Sequence, residues 1–168
     1  MFTITDTLIS WLKDAHAMEQ AAICILDMQS KRLGQYPRME AKVVEHLEVT
    51  RRQAELVKSC LQRYDADMSV WRDFMGRYTG AMNALATSAA LGDEAVKAYV
   101  ADYAFENMEI ATYRILVATA NFVGDYETQK VCEEILSQEQ EMASWLGQEL
   151  IVMTQAFLSE RFPFIGMT

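Results

Sequence analysis

The sequence predicts an all-α fold: a ferritin-like four-helix bundle in which one long helical crossover joins the second helix to the third. Three observations carry this reading. Only two prolines occur, Pro37 and Pro163, and the stretch between them is rich in Ala, Leu, Met, Glu and Gln, which favours helix. No segment alternates apolar and polar residues over the length of a strand. The few breaks fall at Gly34-Gln35-Tyr36-Pro37, Asp65-Ala66-Asp67, Leu91-Gly92-Asp93 and Val123-Gly124-Asp125, and they leave long helical stretches between them.

The first helix is expected over 4–33, with Gly34 as its stop. The second runs over 38–64, with Pro37 in its first turn, where a missing N–H costs nothing. The third covers 93–122 and the fourth 126–158, separated by Gly124. Both glycine breaks are short, so each flanking pair of helices is antiparallel. Residues 65–92 are too many for a hairpin turn and carry a helical pattern of their own in Val70, Trp71, Phe74, Met75 and Tyr78. This segment is long enough to return along the bundle, which gives the one-crossover connectivity of ferritin-like bundles.

Composition bounds the function. The 168 residues suit one domain, taken as 1–168, and 51% hydrophobic content is enough for a sizeable core. The net charge of −9 and a pI near 4.7 supply no basic face for nucleic acid and disfavour anionic membrane surfaces. Asp6, Lys13 and Asp14 interrupt any apolar leader, and the uncharged run from Tyr78 to Leu91 is too short and polar to span a bilayer. Cys24, Cys60 and Cys132 form no CxxC pair and fall in helical patterns, so buried reduced thiols and a cytoplasmic setting are expected. No phosphate loop, nucleophile elbow or zinc signature is present.

The apolar stripes carry the functional signal. The first helix presents Leu8, Leu12, Ala15, Glu19, Ala22, Leu26 and Leu33. The second presents His46, Val49, Gln53, Leu56 and Cys60. The third presents Tyr99, Asp102, Glu106, Glu109, Tyr113, Leu116, Ala120 and Val123, and the fourth Cys132, Ile135, Glu139, Met142, Leu146 and Met153. A carboxylate in such a seam is costly unless it is neutral, paired or bound to metal. Glu19 stands 15 residues before Gly34, and Glu109 and Glu139 stand 15 residues either side of Gly124. Fifteen helical residues rise about 22 Å, which puts all three near mid-height. With the hairpin turns at opposite ends of the bundle, His46 and Glu106 share one level beside that layer. Glu19, His46, Glu106, Glu109 and Glu139 are therefore the candidate metal ligands, a set that suits iron or manganese. The usual Glu-x-x-His on two helices is missing: Arg52 follows position 49, and Met142 follows Glu139.

Four segments also carry a resemblance: Trp11-Leu12-Lys13-Asp14-Ala15-His16-Ala17-Met18-Glu19, Glu45-His46-Leu47, Phe105-Glu106-Asn107-Met108-Glu109-Ile110-Ala111 and Glu139-Gln140-Glu141-Met142-Ala143. They resemble the YciE/YciF-type ferritin-like stress proteins of bacteria, the YciE branch most closely, over nearly the whole chain. The resemblance implies a helical bundle, commonly a homodimer, in the bacterial cytoplasm and linked to stress. The family's second helix reads His-Leu-x-Glu-Thr; here it is His46-Leu47-Glu48-Val49-Thr50, so Val49 replaces a glutamate and Glu48 points about 100° away. Gln138 stands where the family often has a second acid.

Two functions follow. One is a metal-binding protein, di-iron or di-manganese, using the five residues above. The other is a non-enzymatic stress or interaction protein, metal-free, whose site degenerated at Val49. Of the remaining residues, Tyr113 is expected to pack with a satisfied hydroxyl, and His16 to be a partly exposed helix histidine. Arg51, Arg52 and Arg63 read as solvated charge, and Arg161-Phe162-Pro163-Phe164-Ile165-Gly166 as an apolar tail.

Overall fold

Thr3 opens the first helix with a capping box. Its hydroxyl oxygen accepts from the Asp6 N–H at 3.1 Å, and its own N–H donates to Asp6 Oδ2 at 2.7 Å. Helix α1 follows over Ile4–Ser30, shorter than expected by the turn before Gly34. Helix α2 covers Pro37–Gln62 with Pro37 as its first residue. Helix α3 covers Glu94–Val123, and α4 covers Tyr126–Arg161, running past the expected end at 158. The computed structural model describes residues 3–31, 33, 36–66 and 94–162, and among these every regular element is α-helical. The expected crossover pattern of Val70 to Tyr78 lies outside the described residues, as do Gly34 and the tail from Pro163.

Two stops have a visible cause. Gly124 takes φ +78°, while the Asp125 N–H reaches Ala120 O at 2.9 Å and its own N–H reaches Asn121 O at 3.1 Å, a Schellman ending for α3. Asp65 adopts φ 49° beyond α2, a left-handed position that Asp tolerates better than most residues. Asp125 then caps α4 by accepting from the Thr128 N–H at 3.1 Å.

Side-chain contacts fix the topology. Helix α1 packs on α2 and α3, and α4 packs on α3 and α2. Arg63, just beyond α2, reaches the α3–α4 turn, donating to Asp125 Oδ1 and Oδ2 at 2.7 and 2.8 Å and to Thr128 Oγ1 at 2.7 Å. At the other end, Gln29 near the close of α1 meets Asp102 near the start of α3. Arg38 in the first turn of α2 pairs with buried Glu149 of α4 at 2.7 Å. The hairpin turns thus lie at opposite ends, and the chain leaves α2 at one end and enters α3 at the other. This is a four-helix bundle with the connectivity the sequence implied.

The core is two apolar clusters. One holds Leu8, Leu12, Val57, Leu116 and Ile135 towards the α3–α4 turn. The other holds Leu26, Met39, Val43, Tyr99 and Leu146 towards the α1–α2 turn. The expected stripes of α1, α3 and α4 are buried apart from their last residues, Leu33, Val123 and Met153. The stripe of α2 is rotated: Val43, Leu47, Thr50, Ala54 and Val57 are buried, while Val49 and Leu56 are only half-buried. Cys60 and Cys132 are buried as expected, but Cys24 is exposed, because it lies on the outer side of α1. Arg63 is no free surface charge either, since it ties the end of α2 to the α3–α4 turn. Among the described residues, no helix is long and apolar enough to cross a membrane.

Candidate metal centre

Between the two apolar clusters lies a polar layer. Glu19 on α1, His46 on α2, Glu106 and Glu109 on α3, and Glu139 on α4 are 0%, 5%, 3%, 1% and 0% exposed. Each sits at a seam position of its helix, so the spacing that buries leucines elsewhere also buries these side chains. His46 Nε2 lies 3.3 Å from Glu106 Oε1 and 3.6 Å from Glu139 Oε2. One ligand atom from each of these three residues lies within 4.8 Å of the others. Glu139 is the hub. It stands within hydrogen-bonding reach of Glu106 and Glu109 once one acid of each pair is protonated, and its charge also acts on Glu19.

Neighbouring residues orient the layer. The buried Tyr113 hydroxyl donates to Glu19 Oε1. Gln53 donates from Nε2 to Glu139 Oε1 and, at 3.0 Å, to Gln138 Oε1. Tyr113 thus has the satisfied hydroxyl expected of it, and the partner is a candidate ligand. Gln53 is a site neighbour that the sequence reading left as a stripe residue. Its signal is an amide seven residues after His46, two helical turns along the same face. His16 is half-buried among Lys58 and Glu55, away from the layer. Glu48 is exposed and ion-paired with Arg51, so it does not replace the glutamate missing at Val49.

Burial dominates the electrostatics. It pushes Glu19, Glu109 and Glu139 well above the ordinary carboxyl range, and the neighbouring acids add to the shift. Glu106 is pushed up to about 8, first by burial. His46 is held below its usual value, again first by burial, against the pull of Glu139. Without a cation, the layer at neutral pH therefore favours protonated acids around a neutral imidazole.

The fit to a metal rests on what is left unsatisfied. In their ionised form Glu19 Oε2, Glu106 Oε2, Glu109 Oε1 and Glu139 Oε2 are all buried without a hydrogen-bond donor. Native cores rarely leave one such atom unpaired, and several kcal/mol is the order of cost for each uncompensated ion. Four bare carboxylate oxygens beside an imidazole nitrogen form a donor set of the hard and borderline kind that iron and manganese take. The residues present fit the group.

Comparison with known proteins places the chain. Residues 3–159 match the family described as "Domain of unknown function (DUF892)". A protein of solved structure from Xanthomonas campestris pv. campestris is 32% identical, with a TM-score of 0.79 over 95% of this chain and 99% of that one. The Escherichia coli stress protein YciF shares the fold at 22% identity, with a TM-score of 0.78 over 92% of this chain and 99% of that one. With a family match over nearly its full length, the chain belongs to the DUF892 family.

Proposed function

We propose that this chain is a ferritin-like metal-binding protein whose core holds iron or manganese on Glu19, His46, Glu106, Glu109 and Glu139. The observation that carries the reading is the set of four buried carboxylate oxygens, on three helices, that no donor satisfies. Bound there, a redox-active iron or manganese pair would supply electrons to dioxygen or peroxide. The chain's own residues prepare the site. Tyr113 holds one oxygen of Glu19 and leaves the other bare; Gln53 does the same for Glu139. The lowered pKa of His46 keeps its imidazole neutral, the form that ligates. The buried acids carry protons that an arriving cation displaces, so uptake releases protons and strengthens as pH rises.

Elemental analysis of untagged protein purified without chelators tests this reading. Iron or manganese bound to the wild type, and at least tenfold weaker retention in Glu19→Ala, are expected. Protein that carries no transition metal and takes up none on incubation would end it. A cytoplasmic homodimer with a role in stress belongs to the same reading. Sedimentation distinguishes that dimer from a storage cage.

A second reading has its own observation. Val49 offers no donor and Glu48 faces solvent, so the family's second-helix acid has no substitute. In that case the chain is a non-enzymatic stress or interaction protein with protonated core acids. Val49→Glu should then create or strengthen metal binding. If the variant binds no better than the wild type, the missing acid does not explain the loss.

A further inference from the structure

The five side chains of the polar layer are at most 5% exposed, and apolar clusters close the bundle on either side of them. An ion that reaches the layer must therefore pass between two helices. Of the four neighbouring helix pairs, α2 and α4 touch each other least. The next loosest pair, α1 and α3, carries the apolar side chains of Ile25 and Phe105 beside Glu106.

The α2–α4 seam is polar from its rim inwards. At the rim, Arg52 of α2 and Glu134 of α4 lie 3.8 Å apart and are 73% and 46% exposed. One turn further along α4, half-buried Gln138 accepts at Oε1 from Nε2 of buried Gln53, at 3.0 Å. The same Gln53 amide also donates to Oε1 of Glu139, the hub of the layer. Three polar steps thus lead from solvent to the hub. Val49, one turn before Gln53 on α2, is half-buried and has no hydrogen-bonding side chain to strengthen the closure. An exposed ion pair and a single neutral hydrogen bond are weak fastenings. Amide oxygens are also among the ligands that hard divalent cations accept, so the side chains that close this seam suit an ion in passage.

We propose that the α2–α4 seam is the entrance through which a divalent cation reaches the layer, with the Gln53–Gln138 hydrogen bond as its inner latch and Arg52 as the charge at its mouth. The proposal rests on the metal-binding reading above. It gives Gln138 a role in the rate of exchange, separate from the ligands that set affinity. The latch is made whether or not an ion is bound, so loosening it speeds entry and exit alike.

Stopped-flow measurement of Mn²⁺ uptake and release, followed with a fluorescent Mn²⁺ indicator, tests it in the full-length protein. Gln138→Ala should raise both rates by about fivefold or more, the order set by one lost hydrogen bond, and leave Kd at the wild-type value. Arg52→Ala, on the surface, should speed uptake at low salt, and the gain should shrink at high salt as the charge is screened. Ile25→Ala, on the α1–α3 side, should leave both rates unchanged. Circular dichroism checks each fold, and Arg52→Ala carries the test if Gln138→Ala does not fold. Rates that stay at the wild-type values in both Gln138→Ala and Arg52→Ala overturn the entrance. Faster exchange in Ile25→Ala than in Gln138→Ala does the same by placing the route between α1 and α3. Faster release with unchanged uptake in Gln138→Ala also overturns it, because Gln138 would then support affinity alone. Each of these results leaves the layer standing as a metal centre. A wild type that binds no Mn²⁺ at any concentration tested overturns both.

Discussion

Glu19 and Glu139 each have one oxygen fixed by a neighbour and one oxygen bare. That asymmetry makes Tyr113 a positioning residue whose effect is measurable. Tyr113→Phe keeps the ring in its fully buried place and removes only the donor to Glu19. Such orienting hydrogen bonds typically change metal affinity by about 10–100-fold. Mn²⁺ affinity should fall by about tenfold or more in Tyr113→Phe, while the circular dichroism spectrum stays that of the wild type. Equal affinities in the two proteins would show that the hydroxyl merely fills its own hydrogen-bonding need. The acids themselves were legible in the sequence, because a glutamate at leucine spacing is conspicuous. What Tyr113 and Gln53 do was less legible: which oxygen a hydroxyl or an amide reaches depends on rotamers, and spacing does not encode them. Asp102 was visible in its stripe, but its partner Gln29 was not, because spacing along one helix does not say which side chain of another helix it meets.

At the scale of elements, the α3–α4 turn joins three helix ends. Gly124 has its left-handed φ because the Schellman ending demands it, and a Cβ added there meets nothing within 4 Å. Gly124→Ala therefore carries a purely conformational cost of about 1–2 kcal/mol. Asp125→Ala removes the α4 cap, worth about 1 kcal/mol, together with the partner of Arg63 and Tyr64. Thermal melts should place both variants below the wild type, Asp125→Ala the lower. Matching melts for all three would mean that the turn contributes nothing beyond connection. Burial raises the Asp125 pKa, but hydrogen bonds from Thr128 and Tyr64 outweigh it and hold the group below the ordinary aspartate range. Its contribution is therefore full above that range and is lost as pH falls through the lowered value. Gly124 and the antiparallel pairing were readable from one residue and its flanks. The rotation of α2 was not, because His46, Gln53 and Cys60 fit two neighbouring stripes equally well. Only packing against α1 and α4 selects Thr50 and Val57 over Val49 and Leu56.

For the whole molecule, the sealed acids set the way stability depends on pH. In the metal-free protein Asp102 is raised to about 6 and Glu106 to about 8, with burial the first cause of each, and burial together with the neighbouring acids holds Glu19, Glu109 and Glu139 well above the ordinary carboxyl range. An acid whose folded pKa lies above its unfolded value binds protons more tightly in the native state. Its contribution is complete below the ordinary carboxyl range and drains away as pH rises through the folded value. Metal-free protein should therefore lose stability between about pH 5 and pH 8. One pKa unit is about 1.4 kcal/mol, and each kcal/mol moves the melting temperature of a chain this size by about 2–4 °C. A fall of about 5 °C or more is expected for chelated protein between those two pH values. A bound cation reverses the sign, because it binds the deprotonated acids and its affinity grows with pH. With saturating Mn²⁺ the melting temperature should hold steady or rise over the same interval. Melts at pH 5 and pH 8, with chelator and with Mn²⁺, give four values. Two parallel curves would mean that the ion does not engage these carboxylates, whereas curves that diverge towards pH 8 tie the protons to the cation within one buried chamber.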